Sequence, residues 1–148
     1  MGFHKILCPV DFSPGSRAAL REAAELARES GASLELVCVS EVTAWQSMVD
    51  FQLVPEVIQQ ATFSEESELA KWKAEAAQLG VKDVSSRRLV GVPWDQIVAA
   101  ARDDRAIDLI VMGTHGRTGL GRALLGSVAE KTVRHAPCAV LVVRRNDP

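Results

Sequence analysis

Five glycines and two arginines crowd one stretch of the sequence, "VMGTHGRTGLGRALLGSVAEK", which covers residues 111–131. Glycine has no Cβ, so successive backbone N–H groups can turn toward one point without a side chain in the way. The helical pattern that begins at Ser127 would aim its unpaired N–H groups, and its positive dipole end, at the same region. Arg117 and Arg122 add positive charge, and His115 adds a hydrogen-bond donor. The stretch therefore predicts an anion site suited to phosphate groups.

The two common phosphate-loop patterns do not fit this stretch. No Gly-Lys-Ser/Thr follows the glycines, so it is not a Walker A loop, and "GTHGRTGLG" is too long for a dinucleotide fingerprint. A structural interpretation stays open, because Ser127 and Glu130 fit a Ser-x-x-Glu capping box and the glycines fit a surface loop. His115 has no carboxylate or histidine near it in sequence, so we interpret it as a loop contact and not as a general base. We favour phosphate binding because the loop joins a strand end to a helix start.

Hydrophobic periodicity predicts the elements that must position this loop. Ser13 and Pro14 are typical of a helix start, and Gly31 and Gly80 are typical of helix ends. Residues 43–63 show no clean period, although a proline at position 55 could open a helix there. Strands are predicted at 5–10, 33–42, 83–90, 108–113 and 138–144, and helices at 14–30, 65–79, 93–106 and 127–136.

The alternation of strands and helices predicts a parallel sheet with helices on both faces and right-handed crossovers. A chain of 148 residues without repeats or linkers is predicted to form one domain. Sheets of this kind bind ligands outside the carboxyl ends of their strands, where the strand order reverses. The glycine-rich loop follows the fourth strand, so it lies where a ligand site is expected. Gly113 and Gly126 are predicted to lie outside the core.

Composition excludes several classes of partner. The formal net charge is −2, which gives no general attraction to nucleic acid or to an anionic membrane. No segment approaches the roughly 20 apolar residues of a membrane span, and no signal peptide is recognisable. The three cysteines lie in or beside apolar runs without metal-ligand spacing, which predicts buried thiols. These features predict a soluble cytoplasmic protein that binds neither nucleic acid nor membrane.

Two long segments resemble the universal stress protein family. "KILCPVDFSPGSRAAL" is similar to its N-terminal signature, and "DLIVMGTHGRTGLGRALLGSVAEKTVRHAPCAVLVVR" is similar to its C-terminal signature. The nucleotide-binding members carry Gly-x2-Gly-x9-Gly-Ser/Thr, which here is Gly113, Gly116, Gly126 and Ser127 with the spacing intact. The resemblance covers essentially the whole chain, and it implies an ATP-binding stress-response sensor or regulator. It also implies a single-domain, Rossmann-like α/β fold, an open parallel five-stranded sheet with strand order 3-2-1-4-5.

The resemblance further implies an ATP site built from strand ends and one helix start. Asp11 would lie beside the ribose or adenine, Val39 would offer backbone hydrogen bonds to adenine, and Ser127 would offer a hydroxyl to the phosphates. Mg²⁺ would be held through the phosphates and water, with no direct protein ligand. The implied site residues are Pro9, Val10, Asp11, Val39, Met112, Gly113, His115, Gly116, Gly126, Ser127 and Val128.

The resemblance implies a homodimer through the C-terminal strand, residues 138–144, and a protein partner that the sequence does not identify. The sequence offers no dedicated catalytic base, nucleophile or carboxylate pair, so ATP hydrolysis is expected to be slow if it occurs. Two alternatives stay open. One is a nucleotide-independent interaction module. The other is a true ATPase or nucleotidyl-transfer enzyme of related architecture. The segment after the first strand, "PVDFSPGS", lacks the motifs of such enzymes, which counts against this alternative.

Overall fold

The computed structural model of the protein describes residues 2–41, 54–114 and 125–145, and of residues 54–58 the backbone alone. Strands and helices alternate along these ranges. The strands are β1 (Lys5–Pro9), β2 (Ser33–Ser40), β3 (Val84–Val90), β4 (Ile107–Gly113) and β5 (Ala139–Val143). The helices are α1 (Pro14–Ser30), α2 (Val54–Gln78), α3 (Pro93–Asp103) and α4 (Ser127–His135).

All four pairings in the sheet are parallel, and the strand order is β3-β2-β1-β4-β5. This confirms the predicted fold class and strand order. β3 and β5 form the two edges, as their polar and terminal sequences suggested. The chain runs outward from β1 through β2 to β3, then crosses to β4 and continues to β5, so the order reverses between β1 and β4.

The pairing between β1 and β4 ends early, just before Pro9. Alternate residues of an inner parallel strand direct their backbone groups to opposite neighbours. The amide of Val10 donates to the carbonyl of Val37 (2.8 Å), so the even-numbered residues of β1 bond to β2 and Pro9 faces β4. Proline has no N–H to donate. The β1–β4 register accordingly ends at Leu7 opposite Ile110, while β4 continues to Gly113.

Helices cover both faces of the sheet. α1 and α2 bury one face, where Ile6, Leu34 and Trp72 belong to one apolar cluster. α3 and α4 bury the other, around Leu7, Val37 and residues of α3. None of the helices in the described ranges combines the length and the apolar character needed to cross a membrane.

The predicted boundaries of α1 are confirmed. The side chain of Ser13 accepts a hydrogen bond from the amide of Ser16 (3.2 Å), Pro14 occupies the first turn, and Gly31 ends the helix in the left-handed conformation (φ 74°). These are the capping geometries for which the residue types are suited.

Two predictions for α2 and its flanks were wrong in detail. The helix begins at Val54 and not near position 65, and the proline at position 55 lies in its first turn. Leu79 lies past the end of the helix and is 41 % exposed, although its spacing placed it on the core face with Leu69 and Trp72. Trp45 and the rest of 42–53 lie outside the described residues.

Cys8 and Cys38 are buried and Cys138 is half-buried. Burial raises the pKa of the Cys8 thiol to about 12. Desolvation, with a smaller contribution from Asp108, also raises the pKa of Cys138. Neither thiol is therefore activated as a nucleophile at neutral pH, in keeping with a structural role.

Candidate functional site

The glycine-rich loop begins and ends at the point where the strand order reverses. The amide of Gly126 donates to the carbonyl of Thr114 (2.8 Å), so the last residue before α4 lies directly against the first residue after β4. The amide of Thr114 in turn donates to the carbonyl of Val143 in β5 (3.2 Å). These two bonds fix the N-terminus of α4 at the carboxyl ends of β4 and β5, and β4 is one of the two strands that flank the reversal.

The N-cap residue of α4 has no side chain. It is Gly126 (φ −64°, ψ 157°), so the helix start lacks the capping hydrogen bond that a serine or aspartate would give at this position. The amide of Glu130 makes the first helical bond, to the carbonyl of Gly126 (2.9 Å). The capping box predicted for Ser127 and Glu130 was therefore wrong, because Ser127 is the first helical residue and not the cap. The amides of Ser127, Val128 and Ala129 precede that first bond and have no partner within the helix.

A second helix start reaches the same place. Gly113 ends β4, and a Cβ built on it would lie 3.0 Å from the carbonyl oxygen of Gly15 and 3.1 Å from its carbonyl carbon. The end of β4 can approach the first turn of α1 this closely only because residue 113 is glycine. The first turn of α1 therefore packs on the end of β4, one residue before the bond between Thr114 and Gly126, and Gly113 is a packing position as well as a loop residue.

Asp11 organises the turn that leads from β1 into α1. Its Oδ1 accepts a hydrogen bond from the amide of Ser13 (3.0 Å), and its own amide donates to Oγ of Ser16 (2.9 Å). Phe12 between them has a positive φ of 65°, which is unusual for an aromatic residue, and its ring packs edge-on against Trp72. Asp11 thus forms the turn into α1, and a contact with a ligand stays a prediction.

Val39 lies in β2 beyond the last residue paired with β1, so its own backbone groups can bond to a ligand. The amide of Val10 bonds to Val37, opposite Pro9, and this is the last position at which β1 runs beside β2. By alternation, the backbone groups of Val39 point to the same side as those of Val37. They therefore point past the end of β1, toward the gap beside β4. Among the neighbours, Pro9 is half-buried, and Val10 and Met112 are buried, Met112 within the cluster beneath α3 and α4.

Some predicted residues fall outside the described ranges. His115 and Gly116, together with Arg117 and Arg122, lie within 115–124, and the structure describes only the two ends of that loop. The sequence argument also missed Gly15 and Thr114, which form the contacts that hold the site together. Only the Pro-Gly pair at the start of α1 could have drawn attention to Gly15.

The family can be decided from the sequence profile of the chain. Residues 2–144 match the profile of the Universal stress protein family. The chain belongs to this family. A relative in Methanocaldococcus jannaschii, universal stress protein MJ0531, is 38 % identical over 146 residues, which cover 97 % of this chain and 83 % of the relative.

Solved structures of the family share the fold. The universal stress protein UspA of Lactobacillus plantarum superposes with a TM-score of 0.85 at 26 % identity, over 97 % of this chain and 99 % of that one. A family protein of Arabidopsis thaliana, solved with AMP bound, superposes with a TM-score of 0.70 at 21 % identity, over 97 % of this chain and 92 % of that one. At that lower identity the likeness shows the fold alone.

Replacing Gly113 by alanine should cost stability, contrary to the expectation that this residue lies outside the core. The added Cβ would press on the backbone of Gly15, which cannot rotate away as a side chain could. We expect the free energy of unfolding to fall by about 1–3 kcal/mol, as is typical of overpacking. Urea denaturation measures this, with Thr114→Ala as the control because it adds no atom to the contact. A Gly113→Ala protein as stable as the control would show that α1 and β4 do not pack this tightly.

Proposed function

We propose that the chain binds ATP with Mg²⁺ between the ends of β1 and β4 and acts as a nucleotide-dependent regulator in a stress response. The observation that carries the proposal is the bond between Gly126 and Thr114, which holds the uncapped start of α4 at the reversal of strand order. An anion is favoured there by unpaired amides and by the positive end of the helix dipole.

The adenine and ribose would lie at the β1 side of the site. The backbone groups of Val39 project past the end of β1, and an amide with its neighbouring carbonyl can pair with an adenine edge. Pro9 and Val10 would line the base, and Asp11 would lie beside it or the ribose. Met112 is buried beneath this region, so its side chain would support the ribose side from the core.

The phosphates would lie at the α4 side. Ser127 and Val128 offer amides, Ser127 adds an exposed hydroxyl, and Gly113 and Gly126 would lie along the phosphates. His115 and Gly116 would complete the site from the loop. The AMP bound by the Arabidopsis protein supports the same nucleotide class at this fold.

Mg²⁺ would be held by the nucleotide and not by the protein. The described residues contain no group of three or more His, Cys, Asp or Glu side chains that could hold a metal ion. Mg²⁺ keeps several waters and readily binds through phosphate oxygens, so it fits a site whose protein donors are amides. Its chemistry would be to neutralise phosphate charge as the nucleotide binds.

A regulator fits this set of residues better than a fast enzyme. Asp11, the carboxylate at the end of β1, accepts the amide of Ser13 and shapes a turn, so it already has a structural role. A general base must reach the proton that it abstracts. We infer that hydrolysis is slow if it occurs, and that the bound nucleotide biases the loop and partner binding in a single-domain, cytoplasmic homodimer.

The test is to denature freshly purified protein and identify any released small molecule by chromatography and mass. We expect ATP or ADP near one per chain, or, if the protein is purified empty, ATP binding by calorimetry that requires Mg²⁺. Hydrolysis can then be followed in the loaded protein. A protein that releases no nucleotide and shows no heat of ATP binding would refute the proposal and leave the nucleotide-independent interaction module.

A further inference from the structure

The edge of the sheet at β3 carries a row of outward-pointing backbone groups. The amide of Leu34 donates to the carbonyl of Asp83, and the amide of Gly91 donates to that of Ser40, both at 2.9 Å. The odd-numbered residues along this strand therefore bond to β2, and the even-numbered ones direct their N–H and C=O groups away from the sheet. The outward residues are Val84, Ser86, Arg88 and Val90.

A groove of about 550 Å³ runs between β3 and α2, beside these outward groups. Leu69 and Val81 form an apolar floor, and both are buried. The wall on α2 consists of small exposed residues at helical spacing, Ala70, Ala74 and Ala77. Larger side chains at these positions would fill the groove. The structure thus leaves space for a chain lying along the outer edge of β3.

The groove is lined mainly by positive charge, although the chain as a whole has a net charge of −2. Arg87 and Arg88 are held in place by Glu35 and Glu65, at 3.2 and 3.1 Å. Lys73 and Lys82 also line the groove, together with the acidic Glu66. None of these three side chains has an ion-pair partner among the residues that the structure describes. Two lysines against one glutamate leave a net positive charge at the groove, which complements an acidic occupant.

We propose that this groove binds an extended, acidic polypeptide segment of a partner protein, which adds a strand to the outer edge of β3. Such strand addition gains affinity from main-chain hydrogen bonds and specificity from pockets for alternate side chains. Here the apolar floor and the alanine wall accept small apolar side chains, and Lys73 and Lys82 accept carboxylates. The proposal does not depend on nucleotide binding, because the groove lies at α2 and β3 and not at the gap between β1 and β4.

Charged residues on an edge strand also protect it from unwanted pairing. Arg87 and Arg88 on β3 fit that role by themselves. Protection by charge explains neither the wall of three exposed alanines nor the open space between helix and strand. A docking groove explains all of these features together, and its charge then selects an acidic segment and rejects others.

The test uses labelled synthetic peptides of about eight residues, matched to the seven residues of β3. Alternate positions carry Asp or Glu, and the positions between them carry Ala, Val, Thr or Leu. Binding is followed by fluorescence anisotropy to the full chain. We expect acidic peptides from this set to bind, and their lysine-substituted counterparts and versions methylated at alternate amides to bind at least about tenfold more weakly.

Three variants locate the binding. Ala74→Glu fills the groove with a negative charge and should weaken binding at least about tenfold. Ala61→Glu makes the same exchange at an exposed position of α2 outside the groove and should change nothing. Ser86→Pro removes one outward N–H and leaves the hydrogen bonds to β2 in place, a change that edge strands tolerate. It should also weaken peptide binding. Circular dichroism checks that each variant is folded.

The proposal is overturned if no peptide of the set binds the folded protein. It is equally overturned if binding survives Ala74→Glu, or if amide methylation makes no difference. Self-association that is lost in Ala74→Glu, detected by sedimentation, would show that a second copy of this chain occupies the groove and not an acidic partner.

Discussion

Ser127→Pro should leave the fold intact and weaken ATP binding about 10- to 100-fold. The exchange removes the first free amide of α4 together with the hydroxyl, and a hydrogen bond to a charged group contributes about 1.5–3 kcal/mol. Proline suits the first helical position, where the amide has no helical partner in any case. The chain already has proline at the start of α1 and α3. The extended backbone of Gly126 (ψ 157°) is also compatible with a following proline.

The matched control for this variant is Ser127→Ala, which removes the hydroxyl and keeps the amide. We expect it to lose less affinity than the proline variant, because it gives up the hydroxyl's bond to the phosphates and keeps that of the amide. Calorimetry with Mg²⁺ measures both affinities, and thermal unfolding without nucleotide verifies that both variants are as stable as the parent protein. Equal affinity for the proline and alanine variants would show that the amide of Ser127 does not contact the phosphates.

The architecture was predictable because each strand and each helix start has its own local signal. The apolar sequences of β1 and β4 can be recognised as strands without knowledge of the rest of the fold. Ser13 with Pro14 marks the start of α1. Alternation along the chain then leaves few topologies with right-handed crossovers. The strand order itself was implied by the family resemblance, and the candidate site is expected at the reversal between β1 and β4 that this order contains.

The start of α2 was not predictable, because the side chains described before Leu69 are largely exposed and so show no apolar period. Residues 59–61 are exposed and Phe63 is 75 % exposed, whereas Leu69, Trp72 and Ala76 are buried. Hydrophobic periodicity reports burial and not helicity as such. The pattern therefore becomes visible only where α2 begins to pack on β2 and β3.

The details of the site depend on contacts between segments that are distant in sequence. A Ser-x-x-Glu sequence does not reveal whether serine is the cap or the first helical residue, and here the bond from Gly126 to Thr114 makes the glycine the cap. Likewise, Gly113 has the same appearance in sequence as any loop glycine. Its role comes from the approach of Gly15, nearly one hundred residues earlier in the chain.

The site and the groove at β3 are joined by one side chain. Glu65 of α2 accepts hydrogen bonds from Ser40 at the end of β2 and from Arg88 in β3. Ser40 follows Val39, the residue proposed to meet adenine. One carboxylate of α2 therefore contacts both the end of β2 and the edge strand β3.

Val142→Pro should convert the proposed dimer into a monomer without loss of nucleotide binding. Thr114 bonds to the carbonyl of Val143, so the odd-numbered residues of β5 face β4 and the amide of Val142 points outward, toward a two-fold mate. The side chains of Val140 and Val142 pack against the core under α3 and α4, so a charged residue there would damage the fold as well as the interface. Proline avoids this difficulty, since it stays apolar and removes only the outward donor.

Light scattering after size-exclusion chromatography gives the mass of each variant. Val142→Ala shortens the same side chain but keeps the amide, and it should remain a dimer if backbone pairing holds the subunits together. Ser86→Pro makes the same backbone change at the opposite edge and should also remain a dimer, because β3 takes no part in that interface. A Val142→Pro protein that still elutes as a dimer would place the interface elsewhere. Loss of the dimer in both proline variants would instead show that it depends on the whole sheet and not on β5.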